Sequence, residues 1–346
     1  MLAAPACYFP LEKGVYEVVA GLRALGTDFG NGAADERVFQ IDREFPGYRK
    51  NKLQCRAERL GKYYATADYA TDVEQAVTRF LVSRLTCEYP QLFSFDRQAG
   101  SMSVLCCALT SEELIFDREM RLIEVRGAED VVVDAADKGK EDKVAVVPPY
   151  ASAFDALCSQ VQEDVAVVQR APDRTDHLSA IYLCSPSHWA AEDKIGKDFR
   201  FIHQPVPGIE RVNQTSAALV DAMIKRGPYV RFAWGIAADE RLNQHPSMPS
   251  AGLTSDDWRG QIFQSEQTDA PFVLRVERQV LCGLPEANAA IFTIRVYFVS
   301  GALIRSDPRK RDLLRAALLS MTPESRAYKG LKNCLPELIA WLDAES

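Results

Sequence analysis

Four histidines limit the metal and acid–base chemistry open to this chain, and each can be weighed in turn. His177 opens a short apolar stretch, His188 stands in Ser187–His188–Trp189, and His245 lies in the polar run Asn243–Gln244–His245–Pro246. His177 and His188 read as surface or capping groups, and His245 as part of a polar loop. His203 differs, because it follows Phe201–Ile202 and precedes Gln204–Pro205–Val206–Pro207. Two prolines stiffen that segment. A rigid setting suits an axial metal ligand, whose geometry must survive changes at the metal. No H-x-x-x-H or H-E-x-x-H pairing accompanies it, which argues against a three-ligand zinc site. A cofactor that needs one protein ligand, such as haem, fits better. A buried, hydrogen-bonded structural histidine is the competing reading.

The second set of candidates is charge inside apolar strands. In Leu274–Arg275–Val276–Glu277–Arg278–Gln279–Val280, alternation puts Arg275, Glu277 and Gln279 on one face and Val276, Arg278 and Val280 on the other. Arg295 interrupts the next apolar stretch, and Arg231 interrupts Tyr229–Val230–Arg231–Phe232–Ala233–Trp234. Charges on a sheet that helices cover are paired or face a ligand cavity; solvent-facing side chains are the alternative. The nine cysteines are scattered with no C-x-x-C pair, so they read as reduced thiols rather than a zinc or iron–sulfur site.

These residues must be held by an α+β scaffold. Asp72–Leu85 has helical character, and Leu92–Leu109 reads as two short strands joined at Gln98–Gly100. The Asp-, Glu-, Lys- and Gly-rich stretch 127–143 is expected to include an exposed loop. It separates an N-terminal α/β extension, 1–143, from a core with C-terminal helices, 144–346, the two packed together or continuous. Ala153–Val168 is a candidate helix with a valine-rich end that could be strand, and His177–Cys184 is a strand. Ser187 is expected to cap a helix running to Phe199. Pro205–Gly208 forms an irregular turn, and Asn213–Arg226 a helix stopped by Gly227–Pro228. Strands then cover Tyr229–Ile236, Phe272–Leu281 and Ala290–Val299, the last two a hairpin with a connection longer than two residues. Helices at Arg309–Leu319 and Leu331–Leu342 complete the pattern, mainly antiparallel strands with helices before and after.

Composition sets the remaining bounds. The 346 residues are 47% hydrophobic and 26% charged, enough to build a real core. A net charge of −7 argues against a nucleic-acid surface. No apolar run reaches the roughly 18 residues of a membrane helix. No Lys or Arg precedes Lys13, so a charged secretory leader is not expected and the cytoplasm is the expected location. Nothing matches G-x-G-x-x-G, G-x-x-x-x-G-K or G-x-S-x-G, so the chain lacks the usual NAD, ATP and nucleophile-elbow signatures.

Taken in order, the motifs resemble one family. Pro186–Ser187–His188–Trp189, Lys194–Ile195–Gly196 and Ile202–His203–Gln204–Pro205–Val206–Pro207 are similar to the haem-dependent oxidative N-demethylase alpha-subunit family. Arg231-x-x-Trp234, Arg275–Leu281 and Ile294–Arg295-x-Tyr297 continue the resemblance; Asp42, Phe45–Pro46, Tyr48 and Lys52 extend it toward the N-terminus. The resemblance implies a PAS-like antiparallel sheet flanked by helices, with N-terminal and C-terminal helical additions, holding haem b. It implies His203 as the iron ligand, with Trp189, Lys194, Lys197, Pro205, Pro207 and Trp234 around the cofactor. Lys194, Lys197 and Arg200 are candidate partners for the propionates, or else a solvated face. Arg231 and Glu277 become the catalytic pair where a methylated amine and oxygen meet, releasing formaldehyde. FMN, a 2Fe–2S cluster and NADPH are implied on a reductase partner, with tetrahydrofolate elsewhere in the assembly. The family reads R-x-N-W where this chain has Arg231–Phe232–Ala233–Trp234, so an amide is missing at Ala233. A haem-PAS gas or redox sensor is the alternative, weakened because no coiled-coil or output module follows Leu342; a haemless interaction subunit is a third reading, opposed by the retained His203.

Overall fold

The computed structural model of the chain describes residues 2–98, 101–127, 132–134, 144–247 and 272–344. The strands are β1 (Arg23–Ala24), β2 (Tyr64–Thr66), β3 (Phe93–Arg97), β4 (Ser103–Cys107), β5 (Glu112–Phe116), β6 (Leu122–Arg126), β7 (Val132–Asp134) and β8 (Val144–Val146). They continue with β9 (Asp164–Arg170), β10 (Asp176–Tyr182), β11 (Tyr229–Ala237), β12 (Val273–Leu284) and β13 (Ala289–Ser300). The helices are α1 (Phe45–Tyr63), α2 (Thr71–Glu88), α3 (Ala153–Cys158), α4 (Phe199–His203), α5 (Glu210–Gln214) and α6 (Ser216–Lys225). After β13 come α7 (Gly301–Ser306), α8 (Pro308–Ser320), α9 (Pro323–Tyr328) and α10 (Leu335–Asp343).

Seven strands form one antiparallel sheet in the order β1-β11-β12-β13-β9-β10-β2, so two strands from the first third of the chain occupy its edges. A smaller sheet runs β3-β4-β5-β6, and β7 pairs with β8. This is the α+β class that the alternation predicts. The β12–β13 link is a 3-10 turn, Pro285–Ala287, closed by Asn288 in the left-handed region at φ 48. The Gln98–Gly100 turn and most of the 127–143 loop, with the boundary drawn at 143, fall on or beside residues outside the described set.

Three local expectations change. Ala153–Val168 divides, and its valine-rich end is β9, where β-branched side chains pack well on a pleated surface. The helix expected from Ser187 to Phe199 does not form. Instead, Gly196 takes a positive φ of 74 and its N–H bonds back to Leu178, while Leu178 N–H bonds to Lys197. Asp198 is the actual cap, its carboxylate accepting Phe201 N–H, and only α4 follows. The helix expected over Asn213–Arg226 breaks at Thr215 into α5 and α6.

Register separates the two faces of the sheet. The face carrying Arg278 and Arg295 packs on α1 and the segment before it. Arg295 pairs with Asp42 at 3.0 Å and lies 3.8 Å from the Tyr48 ring centre. Arg278 donates to the Arg37 and Val38 carbonyls. Tyr48 donates to the Val296 carbonyl, and Lys52 to the carbonyls of Cys158 and Glu163. The Asp42, Tyr48 and Lys52 pattern therefore locks the N-terminal segment onto the sheet.

At the head of β9, Glu163 and Asp164 are fully buried, and burial pushes their carboxyls up to about 7 and about 6. The folded state thus holds protons that an unfolded carboxylate releases near pH 4. Their contribution to stability is complete below that pH and is lost as pH rises through 6 to 7. The melting temperature is expected to fall between pH 5 and pH 8. Glu163→Gln keeps an acceptor for Gln40 N–H and should flatten that fall. A profile identical to wild type would show that Glu163 is ionised in the fold.

Candidate functional site

The opposite face of the sheet carries the candidate site. Arg231 pairs in register with Gln279, Ala233 with Glu277, and Gly235 with Arg275, so all six lie on this face. One end of the face is covered by α6, and Gly283 permits the approach, because a Cβ there would collide with the Ile224 carbonyl. At the other end Arg275 donates to the carbonyls of Ser185, Arg241 and Leu242, tying two loops down. Between these ends the floor is low. Ala233 is small, and among the described residues a Cβ added at Gly235 would meet nothing within 4 Å. Glu277 accepts a bond from Gln279 Nε2 at 2.9 Å.

His203 ends α4 on this same side. Its Nδ1 lies 2.8 Å from the Phe199 carbonyl. A carbonyl only accepts, so Nδ1 carries the proton and Nε2 holds a lone pair. Among the described residues Nε2 has no hydrogen bond. The ring stacks 4.1 Å from that of Phe199. Burial, helped by the positive charges of Arg231 and Lys194, lowers its pKa and keeps the imidazole neutral. Backbone anchoring of one ring nitrogen is the usual way a ligand histidine is oriented. Lys194 holds α4 in turn by donating to the Ile202 carbonyl at 2.8 Å.

The other sequence candidates scatter. Trp189 packs on this side with Ile195 and Ile202. Lys197 is exposed, over the Phe201 ring at 5.3 Å. Pro205 is exposed and Pro207 half-buried in the turn after His203, where Val206 N–H bonds back to the His203 carbonyl. Trp234 is on the opposite face, edge-on to Tyr16 at 5.7 Å, and is not brought together with Arg231 and Glu277.

One residue is missing from the sequence reading. Lys329, just past α9, donates to the Trp234 carbonyl at 2.8 Å. Burial lowers its pKa, while Glu277 opposes that shift and Arg231 adds to it. A lysine at a helix C-terminus ordinarily reads as a solvated dipole partner, so the sequence offers no signal for it.

Residues 31–339 match the family described as Haem-dependent oxidative N-demethylase, alpha subunit-like. The chain belongs to that family. Membership brings haem dependence, an oxidative N-demethylase-like activity, and partner subunits. The residues fit such a group: a neutral imidazole whose Nε2 has no hydrogen bond among the described residues, within electrostatic reach of Arg231 on the face that also carries Ala233 and Gly235. Among the described residues no three His, Cys, Asp or Glu side chains gather as a metal site. No described helix is long and apolar enough to cross a membrane.

Proposed function

We propose that this chain is the haem-carrying subunit of an oxidative N-demethylase, its seven-stranded sheet PAS-like and its haem b held through His203. One observation carries the reading: a neutral His203, its Nε2 without a hydrogen bond among the described residues, within electrostatic reach of Arg231 on a sheet face that also bears Glu277. Haem, when bound, supplies the electron and oxygen chemistry that no side chain can perform.

The chain's own groups do the rest. Glu277 receives the substrate ammonium and is the group that takes and returns its proton. Arg231 offers N–H donors where negative charge grows on reduced oxygen. Gln279 holds the Glu277 carboxylate in place through Oε2. In the net reaction a methyl C–H becomes C–OH with one oxygen atom, and the other leaves as water, using two electrons and two protons. The C–N bond then breaks, the hydroxyl proton moves to nitrogen, and formaldehyde and the smaller amine depart.

The electrons come from a partner bearing FMN and a 2Fe–2S cluster, fed by NADPH. The chain carries neither a dinucleotide fingerprint nor clustered cysteines. Purified protein with NADPH, oxygen and dimethylamine is therefore expected to give no sustained formaldehyde until a flavin reductase is added. Steady turnover by the single chain would overturn this assignment.

A further inference from the structure

Arg231 is unlike the other arginines of the sheet. Arg275 and Arg278 end on backbone carbonyls and Arg295 on Asp42. Among the described residues the Arg231 guanidinium makes no hydrogen bond or ion pair, and its Nε is buried without a partner. Among the described residues none of its five donors meets a protein acceptor. Lys329 brings a second cation to the same stretch of β11: it binds the carbonyl of Trp234, the residue between Ala233 and Gly235, and lies within electrostatic reach of Glu277 and Arg231. Its aim is fixed by the chain: Gly330 takes a positive φ of 72 and Leu331 N–H returns to the Arg326 carbonyl, closing α9 over a buried Leu331. Burial acts against the Lys329 charge, and Glu277 supports it.

The charges do not balance for a simple amine. A methylated amine is a cation at neutral pH, so among the described residues it would join Arg231 and Lys329 as three positive charges around the one carboxylate of Glu277. Uncompensated charge away from water is costly. A carboxylate on the substrate supplies the missing partner, and a guanidinium fork matches carboxylate geometry. Among the described residues nothing stands in the way: the position of the missing family amide is Ala233, and a Cβ at Gly235 would meet nothing within 4 Å.

We infer that this site takes a methylated amine bearing its own carboxylate, an N-methyl amino acid, with the ammonium at Glu277 and the carboxylate at Lys329 and one edge of Arg231. The inference rests on the N-demethylase reading above and narrows its substrate class. A haem propionate offers the same carboxylate chemistry, and the experiment separates the two sources.

Haem-loaded full-length protein is titrated calorimetrically with N-methylglycine and with dimethylamine, and haem retention is measured on the same samples. Wild type should bind N-methylglycine more tightly, and Lys329→Met should shrink that preference about 10–100-fold, the range of a charged hydrogen bond. Lys329→Arg, which keeps the charge, should restore most of it and guards against misfolding of the methionine variant. Equal binding of the two amines by wild type overturns the inference, while formaldehyde from dimethylamine would still uphold the demethylase reading. An unchanged preference in Lys329→Met, with haem lost instead, assigns the carboxylate to a propionate and overturns it too.

Discussion

Replacing His203 by alanine is expected to leave a folded protein that retains little haem and shows a displaced Soret band. The partly buried imidazole lies at the C-terminal end of a short helix, packed on Phe199 and bonded to the Phe199 carbonyl. Its removal takes away a ring without opening the main core, which lies on the other side of the sheet. Loss of an outer partner alone weakens metal binding about 10–100-fold, so loss of the ligand itself should exceed that range. His177→Ala and His188→Ala serve as controls and should keep the parental spectrum. If His203→Ala matches wild type in haem content and spectrum while either control loses both, the assignment is wrong.

The second large effect is expected at Glu277. Glu277→Gln is nearly isosteric and keeps an oxygen to accept from Gln279. Fold and haem content should therefore be preserved, while amine oxidation per haem should fall about 10²–10⁴-fold, as is typical when a positioned acid–base group is removed. Arg231→Lys should also be impaired, because an ammonium cannot reproduce the planar fork. A purely structural role predicts a different pattern, a lower melting temperature with unchanged activity per haem. Formaldehyde release, haem content and melting temperature on the same samples distinguish the two.

Much of this scaffold was legible because its strands alternate. The period-two pattern in β12 separated Arg275, Glu277 and Gln279 from Arg278, and register sets them on opposite faces. Pattern alone did not say which charges were structural. Arg278 and Arg295 needed the distant residues Arg37, Val38 and Asp42 to explain them, and such long-range pairing leaves no local trace. The segment Ser187–Asp198 misled for a different reason. It has helix-compatible composition, but bonds to β10 and a left-handed Gly196 override weak propensity. Trp234 follows Arg231 by three residues, and an odd offset on a strand puts it on the other face. Lys329 was invisible because its place depends on the end of α9 meeting the outer edge of β11.

The central claim is that one haem and one methylated amine meet on the face that carries Arg231 and Glu277. An absorption titration of the full-length protein tests it most directly, first with haem and then with amine. The account predicts a Soret band that saturates at one haem per chain and then shifts saturably as a methylated amine is added. A Soret band that never saturates at that ratio, or one indifferent to every methylated amine while the haem stays bound, would contradict it.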